Sequence, residues 1–411
     1  MNRILISIFL LSSIFACKSS TVTKKSEAQQ AFELSQKFII ADGHVDLPYR
    51  LKVQNFRLEK EYMGIPIETN KGDFDYNRAK AGGLDAPFMS IFVPARLQSE
   101  PGASKLLADS LIDMVHGIID EHPVNFARAT SPEDVLVNYE RGKVSLPLGM
   151  ENGSPIGDDI KNVEYFKNRG VSYITLTHSK NNKICDSSYD TTRLWNGLSP
   201  FGEKVVREMN RTGIMIDISH VSDSTFYDVI NITRVPVIAS HSSCRAFTPG
   251  FERNMSDGML KSLKKNGGVI MINFGSGFID MKVNEAYKRI SKNFDDEVKR
   301  RDLDPKSREA ESLRKVRFEN NSELWSDITV VADHIDHVVK IAGIDHVGFG
   351  SDFDGVGDSL PRGLKDVSAY PNLIRELIKR GYSEKDIEKI CYKNLERVWN
   401  KVLDYAGKQK S

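Results

Sequence analysis

Eight short apolar runs recur along this chain, each divided from the next by a segment of helical composition. They are FIIADGHVD (38–46), APFMSIFV (86–93), VSLPLGME (144–151), VSYITLTH (171–178), IMIDISH (214–220), PVIASHS (236–242), GVIMINF (268–274) and HVGFGSDF (346–353). They are blocks rich in Val, Ile and Phe rather than alternations of apolar with polar residues, as strands covered on both faces are. SKLLADSLIDMVHGIIDE sets Leu106, Leu107, Leu111, Met114 and Ile118 near the 3.6-residue helical period. SPEDVLVNYERG opens with Ser131 and Asp134 in capping-box positions and offers Gly142 as a C-cap. LSPFGEKVVREMNRTG repeats the plan, with Ser199 as N-cap, Pro200 at the first helical position and Gly213 after the end. Strands and helices in this count and order make an α/β chain, expected to fold as a (β/α)8 TIM-type barrel, although a doubly wound open sheet alternates too.

The placement of polar residues separates the two. His44, Asp46, Glu151, His178, His220, His241 and Asp352 all stand at or just beyond the C-terminal ends of their runs. A barrel gathers those ends around one mouth, whereas an open sheet spreads them along an edge. The connection between strands 7 and 8 is long, and residues 280–340 are strongly charged and helical in composition. It reads as a solvated helical excursion placed to cover the mouth, in preference to a separate domain. The expected folded unit is one barrel over residues 36–405, followed by a polar tail at 406–411.

MNRILISIFLLSSIFAC has the charge, apolar core and small-residue ending of a secretory signal peptide, with Ala16 before Cys17. The ending IFAC also looks like the lipobox of bacterial lipoproteins, in which the Cys becomes the lipidated first residue; the alternative is a plain signal peptide with an incidental Cys. Residues 18–35 read as a polar tether. No later apolar run reaches the ~20 residues that span a bilayer. The expectation is a secreted protein, lipid-anchored in a bacterial cell envelope (periplasmic or surface-facing), meeting the membrane through that anchor. Lys+Arg 57 against Asp+Glu 56 leave a net charge of +1, so no electrostatic footprint of nucleic-acid binding exists. With Cys17 lipidated, Cys185, Cys244 and Cys391 are left, an odd number without CxxC spacing. Neither a disulfide framework nor a cysteine metal cluster is expected.

Taken singly, a His at a strand end is more often a satisfied structural residue, and a carboxylate there often caps the next helix. Accidents of that kind would be scattered; these residues share one end of successive strands. Three imidazoles and three carboxylates (Asp46, Glu151 and Asp352), without Cys, suit a borderline ion such as zinc. One catalytic zinc takes about three protein ligands, so this set suggests a pair of ions. Such ions lower the pKa of water from ~15.7 towards ~7, which points to metal-assisted hydrolysis.

The motifs DGHVD, GMENG, LTHSKN, DISHVS, ASHSS, RN and GFGSDFDGV together resemble those of the membrane (renal) dipeptidase family, zinc dipeptidases on an amidohydrolase-like barrel. The resemblance runs from about residue 37 to 405, and the combination is highly specific, whereas DGHxD alone is shared with other amidohydrolases. Matched position by position, it implies that His44 and Asp46 ligate a first zinc, that Glu151 bridges both metals, and that His220 and His241 ligate the second. Asp352 matches the aspartate near the first metal that shuttles the proton. His178 matches the residue that contacts the scissile carbonyl and the oxyanion, and Arg253, in FERNMSD, matches the arginine that grips the substrate's free carboxylate. Asp354, Asn181 and Asp186 match outer or loop supports. The resemblance further implies two zinc ions per chain, dipeptide substrates with a free C-terminal carboxylate, tolerance of D-residues on that side, and a homodimer.

Without the resemblance, Arg253 reads as a surface arginine paired with Glu252 or Asp257. His116, His122, His334 and His337 read as structural or solvent-facing, and His346 starts strand eight at the end remote from the mouth. The run NGSPIGDD after Glu151 departs from the family's glycine-rich pattern, and the loop over residues 47–75, which sets side-chain preference, is the least readable part. Two other functions compete: a metal-dependent amidohydrolase on the same barrel acting on N-acyl amino acids or lactones, and a non-catalytic surface-binding lipoprotein. The intact ligand set stands against the second.

Overall fold

A computed structural model describes residues 25–52, 67–69 and 71–410. The signal peptide, Cys17, the first part of the tether and the middle of the loop after the first strand lie outside them. The strands are β1 (Ile40–Val45), β2 (Leu84–Phe92), β3 (Phe126–Ala127), β4 (Val144–Ser145), β5 (Leu148–Glu151), β6 (Val171–Thr175), β7 (Met215–Asp217), β8 (Ile238–Ser242), β9 (Val269–Ile272) and β10 (Val347–Phe349). Eight of them close a parallel barrel in the order β1-β10-β9-β8-β7-β6-β5-β2. The closing register sets Asp42 opposite Phe349. Nearly every strand residue is buried, which is why the runs do not alternate.

The expected strand over 144–151 is instead two. Val144–Ser145 pairs with Phe126–Ala127 in a ribbon outside the barrel, and the barrel strand begins at Leu148. Pro147 lies between them and has no N–H to give a ladder, so the run breaks there. The caps form, but without the expected capping box: Ser131 accepts from the Asp134 N–H at 3.1 Å while the Asp134 carboxylate accepts from the Thr130 N–H at 2.7 Å, Ser199 accepts from the Gly202 N–H at 2.8 Å, and Gly213 is left-handed at φ 79°. In the helix Ala103–Glu121, Leu107, Leu111, Met114 and Ile118 face the core, but Leu106 is 73% exposed. One residue from Leu107 is about 100° around the helix, so both cannot share the stripe.

Two terminal expectations are corrected. The tether assigned to 18–35 overlaps a helix, Glu27–Lys37, opened by a Ser26–Gln29 capping box. Ala31 and Leu34 are buried in the main core, where the helix packs on Tyr370–Lys379. The tail assigned to 406–411 continues the helix Asn394–Lys410, with Ala406 buried. The excursion after β9 comprises helices Met281–Arg300 and Arg308–Phe318, with small apolar clusters of their own and Glu297 clasped by Arg301 and Arg317. It ends sooner than the 280–340 read from composition, because helix Ile328–Ile341 buries Val331, Ala332, Ile335 and Val338 in the barrel core. Among the described residues no helix is long and apolar enough to cross a membrane.

His334 is structural. Its Nδ1 accepts from the Cys244 N–H at 3.0 Å and its Nε2 donates to the Ile279 carbonyl at 2.9 Å. Burial pushes its pKa down to about 4. The folded form is therefore neutral, while the unfolded chain takes up a proton below ~6.5. The resulting stability is present above pH ~6.5 and lost as the pH falls towards 4, by up to about 3 kcal/mol. Urea midpoints at pH 7 and pH 5 should converge between wild type and His334→Gln at the lower pH; a gap of constant size would refute this.

Candidate metal centre

The barrel ends are laced so that ligands project over one mouth. The Asp42 carboxylate accepts from the backbone N–H groups of His44 and Ser351, each at 2.9 Å, and from the Tyr370 hydroxyl, tying β1 to the end of β10. The Asp46 N–H donates to the Phe353 carbonyl at 2.8 Å. Beyond the strands, His220 (φ 67°), Asp352 (φ 64°) and Asp354 (φ 66°) are left-handed. A non-glycine residue pays about 1 kcal/mol or more for that conformation, which is tolerated where the turn serves a site. Gly355 follows because a Cβ there would stand 2.2 Å from Asp46 Oδ2 and 2.3 Å from Asp352 Oδ1.

Glu151, the last residue of β5, faces two ways. Its Oε2 lies 3.4 Å from His44 Nε2. Its Oε1 lies 3.0 Å from His220 Nε2, 3.3 Å from His241 Nε2 and 3.6 Å from His178 Nε2. Asp46 Oδ2 is 3.5 Å from His44 Nε2. Three groups arise, His44–Asp46–Asp352, His44–Glu151–His241 and Glu151–His178–His220, the ligand atoms of each lying within 4.8 Å of one another. All six ligands expected from the sequence, and His178, thus meet at one place. Ligands on a tetrahedral zinc at about 2.1 Å stand about 3.4 Å apart, close to most of these separations.

Proton accounting shows that the residues fit a metal. The Tyr173 hydroxyl donates to the Gly43 carbonyl at 2.9 Å, so it accepts from His44 Nδ1–H at 2.8 Å. That leaves His44 Nε2 as a buried lone pair without a hydrogen-bond partner, as Asp46 Oδ1 also is. His220 Nε2 and His241 Nε2 lie 2.8 Å apart and both face Glu151 Oε1. Acceptors crowded in this way call for a cation between them.

For His220 and His241 the electrostatics agree, whereas His44, beside two carboxylates, draws a proton that a cation at Nε2 would displace. Burial, then His44 and Arg253, push His241 down to about 3, and burial with Arg253 takes His220 well below the usual imidazole range. Both therefore offer neutral nitrogens. Burial opposes charge on Glu151, but His44 and His178 hold its carboxyl well below the usual range. Burial likewise opposes charge on His44, yet Tyr173, Glu151 and Asp46 raise it. Burial and the neighbouring Asp46 push Asp352 up to about 7, while Asn273 Nδ2 donates to its Oδ2 at 2.8 Å.

Arg253 is not a surface residue. Glu252 pairs with Arg193 at 2.5 Å and Asp257 with His337 at 2.7 Å. Arg253 is buried, donating from Nη1 to Ser242 Oγ and from Nη2 to the His241 carbonyl, each at 2.7 Å, with Nη2 3.0 Å from His220 Nε2. Among the described residues no carboxylate pairs with it, and its Nε has no partner. A buried cation without an anion is costly unless a ligand supplies one.

The three outer residues act as supports: Asp354 accepts from the Asp73 N–H at 2.7 Å, Asn181 from the Ser187 N–H at 2.7 Å, and Asp186 from the Leu194 and Trp195 N–H groups at 2.9 and 3.1 Å. Sequence reasoning missed Asp42, Tyr173, Asn273 and Tyr189, whose ring lies 5.9 Å from that of His220. A sequence signal exists only for Tyr173, as a polar-tipped residue inside an apolar run. Its ring fills space left by Gly149, where a Cβ would meet it at 1.9 Å. The described cysteines, Cys185, Cys244 and Cys391, are buried and unpaired.

Several known proteins resemble this chain. The probable dipeptidase PvdM from Pseudomonas aeruginosa is 28% identical with a TM-score of 0.79, the match covering 92% of this chain and 99% of that one. A metallo peptidase from Rhodobacter sphaeroides is 23% identical with a TM-score of 0.71, covering 89% and 99%. An amidohydrolase from Pseudomonas aeruginosa is 24% identical with a TM-score of 0.68, covering 90% and 98%. The family model of the membrane dipeptidases matches residues 28–411, nearly the whole described chain. Barrel, ligand-bearing mouth and family match lead to one conclusion: this chain is a metallopeptidase and belongs to the membrane dipeptidase family, peptidase family M19.

Proposed function

We propose that the enzyme is a binuclear zinc dipeptidase hydrolysing dipeptides with a free C-terminal carboxylate, C-terminal D-residues included. The observation that carries this reading is the buried Arg253 guanidinium, without an acid partner among the described residues, 3.0 Å from His220 at the centre of the ligand set. A planar guanidinium reads a carboxylate bidentately, which a lysine would not. The relative from Rhodobacter sphaeroides is liganded with a phosphinate mimic of the dipeptide L-Ala-D-Ala, which supports the substrate class.

In this reading His44, Asp46 and Asp352 would hold one zinc, His220 and His241 the other, and Glu151 would serve both. Zinc bound there supplies Lewis acidity at the scissile carbonyl and a nucleophile from water near neutral pH. Arg253 holds the substrate carboxylate and so fixes the position of the peptide bond. His178, a neutral imidazole at the rim of the ligand set, donates to the developing oxyanion. Asp352, oriented by Asn273, receives the proton of the attacking water and delivers it to the leaving amine. The lipid anchor at Cys17, an envelope location and a homodimer belong to the same proposal, resting on the IFAC motif and the family resemblance.

Metal analysis beside hydrolysis of L-Ala-L-Ala and L-Ala-D-Ala tests this. About two zinc ions per chain are expected, with activity abolished by a chelator and restored by zinc. Cleavage that survives metal removal would overturn the reading.

A further inference from the structure

Asp217, at the end of β7, touches none of the groups that meet at the centre, yet it is fully buried one hydroxyl away from His241. Its Oδ1 accepts from two backbone donors, the N–H groups of Ser219 at 3.0 Å and Ser240 at 2.8 Å. Its Oδ2 accepts from two hydroxyls, Thr175 Oγ1 at 2.5 Å and Ser240 Oγ at 2.7 Å. Ser240 Oγ also lies 2.8 Å from His241 Nδ1. A serine has one proton to give. With that proton committed to Asp217, Ser240 can only accept from His241, so Nδ1 carries the hydrogen and Nε2 keeps its lone pair towards Glu151 Oε1, 3.3 Å away.

We infer that Asp217 is a positioning residue that sets the tautomer of His241 through Ser240 and thereby gives the His220–His241 side of the centre its affinity for metal. The inference rests on the zinc reading above. The corresponding relay on the other side, His44 to Tyr173 to the Gly43 carbonyl, ends on backbone that no substitution of a side chain can reverse. The Asp217 relay ends on a carboxylate, and its direction depends on that group being acceptor-only. In Asp217→Asn an amide NH2 can face Ser240, whose hydroxyl then turns and donates to His241 Nδ1. The tautomer inverts, Nε2 gains the proton, and it can no longer bind metal.

Thr175 supplies the control. Its hydroxyl reaches the same oxygen of Asp217 but is not on the path to His241, so Thr175→Val removes a hydrogen bond of similar burial without turning the relay. Full-length wild type, Asp217→Asn, Ser240→Ala and Thr175→Val should be titrated with zinc against a competing chelator and with cobalt followed by its visible spectrum, each beside a thermal melt. In Asp217→Asn one of two ions should bind about 10–100-fold more weakly, with a changed cobalt spectrum, while the other ion binds as in wild type. Ser240→Ala, which removes the hydroxyl that orients His241 Nδ1–H but does not invert the tautomer, should weaken binding of the same ion by a smaller factor, and serves in its place should Asp217→Asn not fold. Thr175→Val should lower the melting temperature yet leave both affinities unchanged. Wild-type binding of two ions by Asp217→Asn or Ser240→Ala overturns the inference, as does equal loss in Thr175→Val. A wild type that binds no metal instead overturns the zinc reading itself.

Discussion

Glu151→Gln should empty the centre of at least one metal ion and lower kcat/KM by about 10³-fold or more. The expectation follows from what its two oxygens do. One faces His44 and the other faces His178, His220 and His241, so the amide's NH2, whichever way it points, sets a donor where an acceptor is needed. The substitution also deletes a negative charge that is buried among four imidazoles. Loss of an outer partner of a metal ligand already costs about 10–100-fold, so loss of a ligand shared by both sides should cost more. Zinc content after dialysis and steady-state rates on L-Ala-D-Ala check it together. A Glu151→Gln protein that keeps two ions at wild-type affinity would show that this carboxylate is not a ligand, and the two-sided geometry would lose its meaning.

What could be read from the sequence was the part written along single strands. Each ligand ends or follows an apolar run, so His44, Glu151, His220 and Asp352 were visible as chemistry stranded at the end of a strand. What was hidden depends on register between strands. Tyr173 and His44 are 129 residues apart and meet only because β1 and β6 face each other across the barrel interior. Asp217 sits inside a motif already noticed for its histidine, and its role appears only when β7 and β8 are laid side by side. Helix Glu27–Lys37 reads as tether in the sequence because its buried stripe, Ala31, Leu34 and Ser35, holds only two apolar residues in an otherwise polar stretch. The break at Pro147 was legible in principle, since proline cannot serve a central ladder, but the apolar run on both sides masked it. Apart from the family motif, Arg253 carries no local signal: the residues beside it include acids that could have paired with it, and only the fold shows that they pair elsewhere.

That misdirection makes Arg253 the sharper test of substrate class. Arg253→Ala should lower kcat/KM for a dipeptide with a free carboxylate by about 10²–10³-fold, the usual effect of removing one partner of a buried charge pair at about 3–4 kcal/mol. The same dipeptide as its C-terminal amide, already deprived of that contact, should change by less than about 3-fold, so the preference for a free carboxylate disappears. Arg253→Lys keeps the charge but not the fork, and should recover only part of the rate. Because Nη2 also lies 3.0 Å from His220, metal content must be measured in each variant, and a loss of zinc would affect amide and acid alike. Stability gives a second, independent reading. A guanidinium buried without an anion is stabilised when a carboxylate arrives, so an unreactive carboxylate ligand should raise the melting temperature of wild type in a concentration-dependent way and leave Arg253→Ala unmoved. Equal losses on acid and amide, at unchanged metal content, would mean that Arg253 serves the centre itself and that the dipeptide's carboxylate is read elsewhere.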